Sequence, residues 1–152
     1  MKQLFFVFAG LLALACNNST KDNALADSTA TTRTGESPDR CYAYLTEKDT
    51  VRMQLVLDGK NASGDLNYRW YEKDNNTGTL NGTMQGDTLV ADYTFSSEGA
   101  QSVREVRFLK QGDMLIEGIG DMEEVNGKMV YKLPADIRYM GGLVLKKVSC
   151  DK

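Results

Sequence analysis

Apolar and polar side chains alternate along the chain from Cys41 onward, and this alternation limits the fold more than any other feature. A period of two residues is typical of β-strands with one buried face, because successive side chains of a strand point to opposite faces of its sheet. Clusters of turn-forming residues separate the alternating segments. These segments lie at 41–46, 50–57, 65–71, 77–84, 88–95, 103–109, 114–119, 128–133 and 143–150. The sequence therefore predicts an all-β domain of about eight short strands.

Short strands joined by tight turns form either a closed barrel or a two-sheet β-sandwich. Two features favour an up-and-down, lipocalin-like antiparallel barrel. Gly78 and Gly82 share a face with large residues, and glycines at such positions relieve crowding where a curved sheet approaches itself. In an even-stranded antiparallel barrel the first and last strands are neighbours, which brings Cys41 and Cys150 together. The β-sandwich is the alternative.

The first 15 residues have the composition of an export signal. Lys2 precedes an uncharged, mostly apolar run that is too short to span a bilayer comfortably. The run ends in Ala13-Leu14-Ala15-Cys16, which resembles the lipobox of bacterial lipoproteins, although that pattern usually has Leu where Ala13 stands. The resemblance implies a signal peptide over 1–15 and lipidation of the Cys16 thiol. The alternative is an ordinary secretory signal that leaves Cys16 as a free thiol.

The three cysteines of the chain favour the lipidated form of Cys16. An exported chain with an odd number of cysteines leaves one thiol over unless that thiol has another use. Lipidation of Cys16 leaves Cys41 and Cys150 at the two ends of the alternating region, in an oxidising compartment where thiols pair. We therefore predict a disulfide between Cys41 and Cys150. Two isolated cysteines in a chain without histidine supply too few ligands for zinc.

A polar segment at 17–40 separates Cys16 from the alternating region. It is rich in Ser and Thr and holds no aromatic residue, so it buries too little apolar surface to offset the entropy of ordering. We predict that it is a disordered tether. The chain then divides into a signal peptide at 1–15, a lipidated cysteine with its tether at 16–40, and one β-barrel domain at 41–152.

The domain also resembles a known group of proteins. The segments GDTLVADYTFSSEG at 86–99 and SVREVRF at 102–108, together with the lipobox, are similar to small, functionally uncharacterised lipoproteins of Bacteroidota envelopes. The resemblance implies a lipid-anchored cell-envelope protein, and it carries over no catalytic or ligand residues. By resemblance to enterobacterial sorting, Asn17 rather than Asp after the cysteine indicates the outer membrane, on its periplasmic or its surface face.

Composition excludes several kinds of function. Without histidine the chain cannot build Ser-His-Asp or Cys-His nucleophiles or a His-ligated catalytic zinc. Eighteen basic and 21 acidic residues, with no long block of one sign, indicate no nucleic-acid surface. The acidic cluster Asp121, Glu123 and Glu124 precedes a hairpin signal at Asn126-Gly127 and is predicted to be a solvated loop. We expect a protein that is not an enzyme, with no catalytic residue, cofactor or metal site.

One strand carries a charge on whichever face points inward. In the segment at 102–108, an inward orientation of Val106 and Phe108 also turns Arg104 inward, because the three residues alternate with Val103, Glu105 and Arg107. An arginine inside a protein needs a carboxylate or another polar partner. Arg104 is therefore the most unusual inward residue of the predicted barrel.

Two interpretations of Arg104 follow. It binds an anionic ligand beside a wall of aromatic side chains that alternation places on the apolar faces of their strands. These aromatic side chains are Tyr68, Trp70 and Tyr93. Alternatively, Arg104 forms a structural ion pair near the barrel rim, for which Glu98 and Glu117 are the candidates.

The expected function is that of a non-enzymatic envelope lipoprotein, held at the membrane by its lipid anchor, whose barrel binds a small hydrophobic or anionic ligand. The alternative is a protein-interaction module with a filled core, such as an inhibitor or an envelope assembly factor with an envelope protein as its partner. The two differ in interior volume, because an eight-stranded barrel holds either its own side chains or one small ligand.

Lipidation of Cys16 is testable in cells. Globomycin, which blocks the lipoprotein signal peptidase, is expected to leave residues 1–15 attached to the wild-type chain, as read by mass spectrometry of the N-terminus. Cys16→Ser is expected to abolish membrane attachment, because the thiol that carries the lipid is gone. Normal maturation and membrane attachment of Cys16→Ser would show that the lipoprotein interpretation is wrong.

Overall fold

Ten β-strands and one short 3-10 turn make up the regular structure of residues 39–73 and 75–150, the part of the chain that the computed structural model describes. The strands are β1 (Asp39–Leu45), β2 (Thr50–Asp58), β3 (Asn61–Arg69), β4 (Asn76–Gln85), β5 (Thr88–Ser97), β6 (Ala100–Gln111), β7 (Met114–Glu117), β8 (Met122–Val125), β9 (Lys128–Tyr131) and β10 (Val144–Val148). The 3-10 turn is Pro134–Asp136. The predicted signal peptide, Cys16 and the tether as far as residue 38 lie outside the described residues.

Eight of these strands form a closed antiparallel barrel. Its strand order is β1-β2-β3-β4-β5-β6-β7-β10, and the pairing of β10 with β1 completes the ring. Each neighbouring pair in the ring is antiparallel. The predicted all-β fold and the closed antiparallel barrel are confirmed, and the sandwich alternative is wrong. None of the described residues belongs to a helix long and apolar enough to cross a membrane.

The two remaining strands, β8 and β9, form a hairpin beside the ring. Asn126 and Gly127 connect them with φ values of 53° and 79°, and two adjacent residues with positive φ are typical of a tight type I′ turn. Strand β9 pairs in parallel with β6, through Val103 with Lys128 and Arg104 with Met129. Because β7 ends at Glu117, the hairpin pairs with a stretch of β6 that β7 does not reach.

The predicted loop at 121–124 is wrong in part, since Met122–Val125 is a strand. Glu123 and Glu124 are exposed as predicted. These residues form a strand because they pair with β9 across the tight turn. The pairing does not need a buried face, so apolar and polar residues do not alternate here and the sequence does not show the strand.

The inward face of the ring fills the middle of the barrel with apolar side chains. The largest of the most deeply buried side chains are Val51, Met53, Leu66, Leu89, Tyr93, Val106, Phe108, Leu115 and Leu145. Space between β4 and β5 is so restricted that a Cβ atom at Gly82 would lie 2.1 Å from the Val90 carbonyl oxygen and 2.6 Å from the Ala91 Cβ. Only glycine fits there, which agrees with the crowding inferred for this strand from the sequence.

The predicted disulfide between Cys41 and Cys150 is confirmed. Its two Cα atoms are 5.2 Å apart although the residues are separated by 109 positions in the chain. Cys41 lies in β1 opposite Val148 of β10, so the disulfide links the two strands that close the barrel. It lies at the end of the barrel where β1 begins and β10 finishes.

Removal of the disulfide is expected to lower the free energy of unfolding. The double variant Cys41→Ser and Cys150→Ser releases a long loop of the unfolded chain, and the chain-entropy model gives a loss of about 4–5 kcal/mol for such a loop. Urea unfolding of the variant and the oxidised wild type measures the difference. Equal stabilities, or non-reducing peptide maps with both thiols free, would contradict the prediction.

Candidate functional site

Arg104 lies near one end of the barrel, where β3, β5 and β7 finish and β6 begins; we call this the Arg104 end. It pairs with Tyr93 of β5 on one side and with Met129 of β9 on the other. About 30% of its side chain is exposed, whereas Val106 and Phe108 on the same face of β6 are buried. The charge therefore reaches solvent at the barrel end, while the apolar residues of its strand fill the middle.

Aromatic rings form a continuous series around the Arg104 end. The ring centroids are 6.3 Å apart for Tyr44 and Trp70, 6.1 Å for Trp70 and Tyr68, 5.8 Å for Tyr68 and Tyr93, and 4.9 Å for Tyr93 and Phe95. The structure thus brings together the three aromatic residues predicted from the sequence. Phe95 was not among the predicted site residues. Alternation nevertheless puts it on the same face of β5 as Tyr93, so the sequence pattern was sufficient to include it.

Arg104 packs against three of these rings. Its guanidinium carbon lies 5.2 Å from the centroid of the Tyr68 ring, 5.5 Å from that of Tyr93 and 5.7 Å from that of Phe95. Such cation–π contacts stabilise a positive charge by electrostatic attraction to the ring faces. Arg104, Tyr68 and Tyr93 are therefore in direct contact, and Trp70 joins them through Tyr68.

Glu117, at the end of β7, is the acidic partner of this group. Its Oε1 accepts a hydrogen bond of 2.8 Å from the Tyr68 hydroxyl and lies 3.8 Å from Nη2 of Arg104. Of the two partners predicted for Arg104, Glu117 is thus the one in contact, while Glu98 is exposed in the turn after β5. The Nε of Arg104 is buried and has no hydrogen-bond partner among the described residues.

Burial controls the protonation of the groups around Arg104. It raises the pKa of Glu117 above 4.5, against the opposing effects of the Tyr68 hydrogen bond and the Arg104 charge. Burial and then the Glu117 charge raise the pKa of Tyr68 well above 10. Burial also raises the pKa of Tyr93 to about 12, and its hydroxyl donates to the Leu66 carbonyl. Both tyrosines therefore stay protonated hydrogen-bond donors at neutral pH.

A cleft of about 250 Å³ opens beside Arg104, between β6, the end of β7 and the β8–β9 hairpin. Arg104 and Glu117 line it together with the apolar side chains of Met122, Tyr131 and Leu143. The Tyr131 hydroxyl donates a 2.8 Å hydrogen bond to the Gly118 carbonyl, which fixes the hairpin against the chain that follows β7. Glu105 also lines the cleft and is paired with Arg107. The cleft thus combines the Arg104 cation, the two acids Glu105 and Glu117, and apolar walls.

A larger depression, of about 560 Å³, lies along residues 119–121 and 132–138. Ile119, Leu133 and Ile137 line it with Lys132 and Arg138. None of the four residues predicted to bind a ligand belongs to it. It shares Ile119 and Gly120 with the smaller cleft, so the two depressions are neighbours.

Two further ion pairs lie on and beside the outer face of β6, and one of them includes the cleft residue Glu105. Arg107 Nε lies 2.6 Å from Glu105 Oε1, and Lys128 of the hairpin pairs with Asp92 of β5. Alternation places Glu105 and Arg107 on the face of the strand opposite to Arg104. Across residues 39–73 and 75–150, no three His, Cys, Asp or Glu side chains lie close enough together to hold a metal ion.

The fold and the site together define a closed eight-stranded barrel with an arginine–glutamate pair among aromatic rings at one end. A scan against models of protein families, a search of curated proteins and a search of solved structures found no significant match to this chain.

The raised pKa of Glu117 has a consequence for stability. The folded state holds the Glu117 proton more tightly than the unfolded state does. Protonated Glu117 therefore stabilises the fold at pH values below the ordinary carboxyl pKa of 4.5. This stabilisation is lost as the pH rises through the pKa that Glu117 has in the folded state. Glu117→Gln keeps an acceptor for Tyr68 and does not titrate. The stability of the wild type relative to Glu117→Gln is therefore expected to fall as the pH rises above 4.5, as measured by urea unfolding at several pH values. Parallel pH profiles would contradict the inference.

Proposed function

We propose that this chain is a non-enzymatic cell-envelope lipoprotein whose β-barrel binds a small anionic amphiphilic ligand at its Arg104 end. The lipobox around Cys16 supports attachment to a membrane through a lipid, and the Asn at position 17 supports the outer membrane. The Ser- and Thr-rich segment that follows is suited to hold the barrel away from the membrane surface. The proposal includes no nucleic-acid partner.

The observation that carries the ligand proposal is the unused hydrogen-bonding capacity of Arg104. Its Nε is buried without a hydrogen-bond partner among the described residues, and its Nη2 lies 3.8 Å from Glu117, beyond hydrogen-bond distance. A buried donor without a partner destabilises a protein by about 1–3 kcal/mol. Nε has almost no exposed surface, so a carboxylate or a similar anion in the cleft reaches it only after a small rotation of the Arg104 side chain, and hydrogen bonds from both nitrogens to the anion then remove this penalty.

The surroundings of Arg104 determine what the rest of the ligand is like. Trp70 and Phe95 are partly exposed at the Arg104 end, and Met122 and Leu143 line the adjoining cleft, so the ligand needs an apolar part next to its anionic group. The middle of the barrel is filled by its own side chains. The ligand therefore occupies the barrel end and the adjoining cleft, and the cleft volume of about 250 Å³ limits it to a small molecule.

A protein-interaction module is the second candidate. It is favoured by the filled core and by exposed large apolar side chains concentrated in the segment at 119–140. These side chains are Ile119, Val125, Met129, Leu133 and Met140. Exposed apolar surface of this kind is typical of protein contacts. In this candidate Arg104 and Glu117 are a structural ion pair at the barrel rim.

Arg104→Met separates the two candidates, because it keeps the unbranched apolar stem of the side chain and removes its charge. We expect it to weaken binding of octanoate at least tenfold, as followed by the fluorescence of Trp70, the sole tryptophan of the chain. Because the ion pair is partly exposed, the expected loss of stability is at most about 2 kcal/mol.

Arg52→Met is the control, since Arg52 is an exposed arginine of β2 that lines neither depression. It is expected to leave octanoate binding unchanged. Equal binding by Arg104→Met and the wild type would refute the ligand site. Absence of octanoate binding by the wild type would favour the interaction module.

A further inference from the structure

An anionic ligand at Arg104 would place two acids beside one cation, because Glu117 already lies 3.8 Å from Nη2 of the guanidinium. We propose that the Arg104 end binds monocarboxylates together with one proton, which Glu117 takes up as the ligand arrives. This inference rests on the proposed function and adds the ligand class and its dependence on pH.

The positions of the polar atoms carry the inference. Oε1 of Glu117 is held by the Tyr68 hydroxyl at 2.8 Å and lies 3.8 Å from Nη2 of Arg104. An anion that accepts hydrogen bonds from the guanidinium therefore comes close to a carboxylate that cannot move away without losing its hydrogen bond. Two carboxylates in one partly buried place do not both stay ionised, and one of them keeps a proton.

The groups that face Glu117 identify where the proton goes. They come from four strands packed around the end of β7, and they are Tyr68 of β3, Tyr93 of β5, Arg104 of β6 and Tyr131 of β9. The other acid of the cleft, Glu105, is already in an ion pair with Arg107. Among these facing residues Arg104 is the one cation. Burial raises the pKa of each tyrosine, so the tyrosines already hold their protons at neutral pH.

Glu117 is thus the group of this set that gains a proton when a second negative charge arrives. Burial already raises its pKa, which makes the added proton easier to bind. Its backbone N–H donates to the Leu143 carbonyl at 2.8 Å, so the carboxyl is presented from a fixed strand end. Protonated Glu117 still accepts the hydrogen bond from Tyr68 and no longer competes for Arg104.

Charge balance selects the ligand class. Arg104, a protonated Glu117 and a monoanion sum to zero charge, whereas a phosphate monoester that carries two charges leaves one of them unbalanced. The cleft of about 250 Å³ lies just below the range of pockets that hold drug-sized molecules, and Met122 and Leu143 give it apolar walls. A small monocarboxylate such as octanoate fits both conditions.

The test is isothermal titration calorimetry of the wild type with octanesulfonate, octanoate and octyl phosphate between pH 5 and pH 8. Octanesulfonate stays anionic over this range, so any pH dependence of its binding comes from the protein. Where Glu117 is ionised in the free protein, the dissociation constant is expected to rise about tenfold per pH unit. Titrations in two buffers of different ionisation enthalpy are expected to show uptake of about one proton per ligand.

Glu117→Gln is expected to bind octanesulfonate with an affinity that does not depend on pH and without proton uptake, because the amide is neutral throughout. Glu98→Gln is the matched control, since Glu98 is exposed in the turn after β5, and it is expected to keep the wild-type pH dependence. Octyl phosphate is expected to bind at least tenfold more weakly than octanoate at pH 8.

The possible results separate the two proposals. If the sulfonate and the carboxylate bind without pH dependence or proton uptake, the coupling to Glu117 is wrong and the proposed function stands. If octyl phosphate binds at pH 8 as tightly as octanoate, the assignment to monocarboxylates is wrong. If none of the three binds the wild type at any pH, both proposals fail. The proton uptake of the wild type decides the matter even if Glu117→Gln does not fold.

Discussion

The pairing of β10 with β1 is the interaction on which the rest of the structure depends. It joins the two ends of the described chain and converts a curved antiparallel sheet into a ring, so that the eight barrel strands each have a neighbour on both sides. Closure gives every strand an inner and an outer face, which assigns each alternating residue to the core or to solvent. The inward position of Arg104 is a consequence of this assignment.

The Arg104 end shows how a barrel accommodates a charge on its inner face. Transfer of an isolated charge into an apolar interior is very unfavourable. Here the guanidinium lies near the strand ends, keeps partial contact with solvent, and packs against the rings of Tyr68, Tyr93 and Phe95 with Glu117 nearby. Three compensating interactions stabilise the charge, but they leave its Nε without a partner among the described residues, which distinguishes this group from a fully satisfied ion pair.

Alternation along the sequence, together with the turn residues, the glycines of β4 and the number of cysteines, was sufficient to predict the barrel, its disulfide and the grouping of Arg104 with Tyr68 and Tyr93. It assigns residues to a face of the sheet but does not give their height along the barrel axis. Height depends on register, such as the pairing of Tyr93 with Arg104, and on where β7 stops. For that reason the sequence left Glu98 and Glu117 as equal candidates. The aromatic partner Tyr44 was missed, since its ring meets Trp70 only through the register of β1, β2 and β3.

The attachment of the β8–β9 hairpin has a consequence for motion. Among residues 39–73 and 75–150, its backbone pairing with the ring consists of the parallel contacts of Val103 and Arg104, supported by the Lys128–Asp92 ion pair and the Tyr131 hydroxyl. Detachment of the hairpin leaves all eight barrel pairings in place, so this opening requires less free energy than global unfolding. Backbone amides of the hairpin are therefore expected to exchange their hydrogens with solvent faster than those of β2 to β5. Each such opening uncovers the wall beside Arg104 while the barrel remains folded.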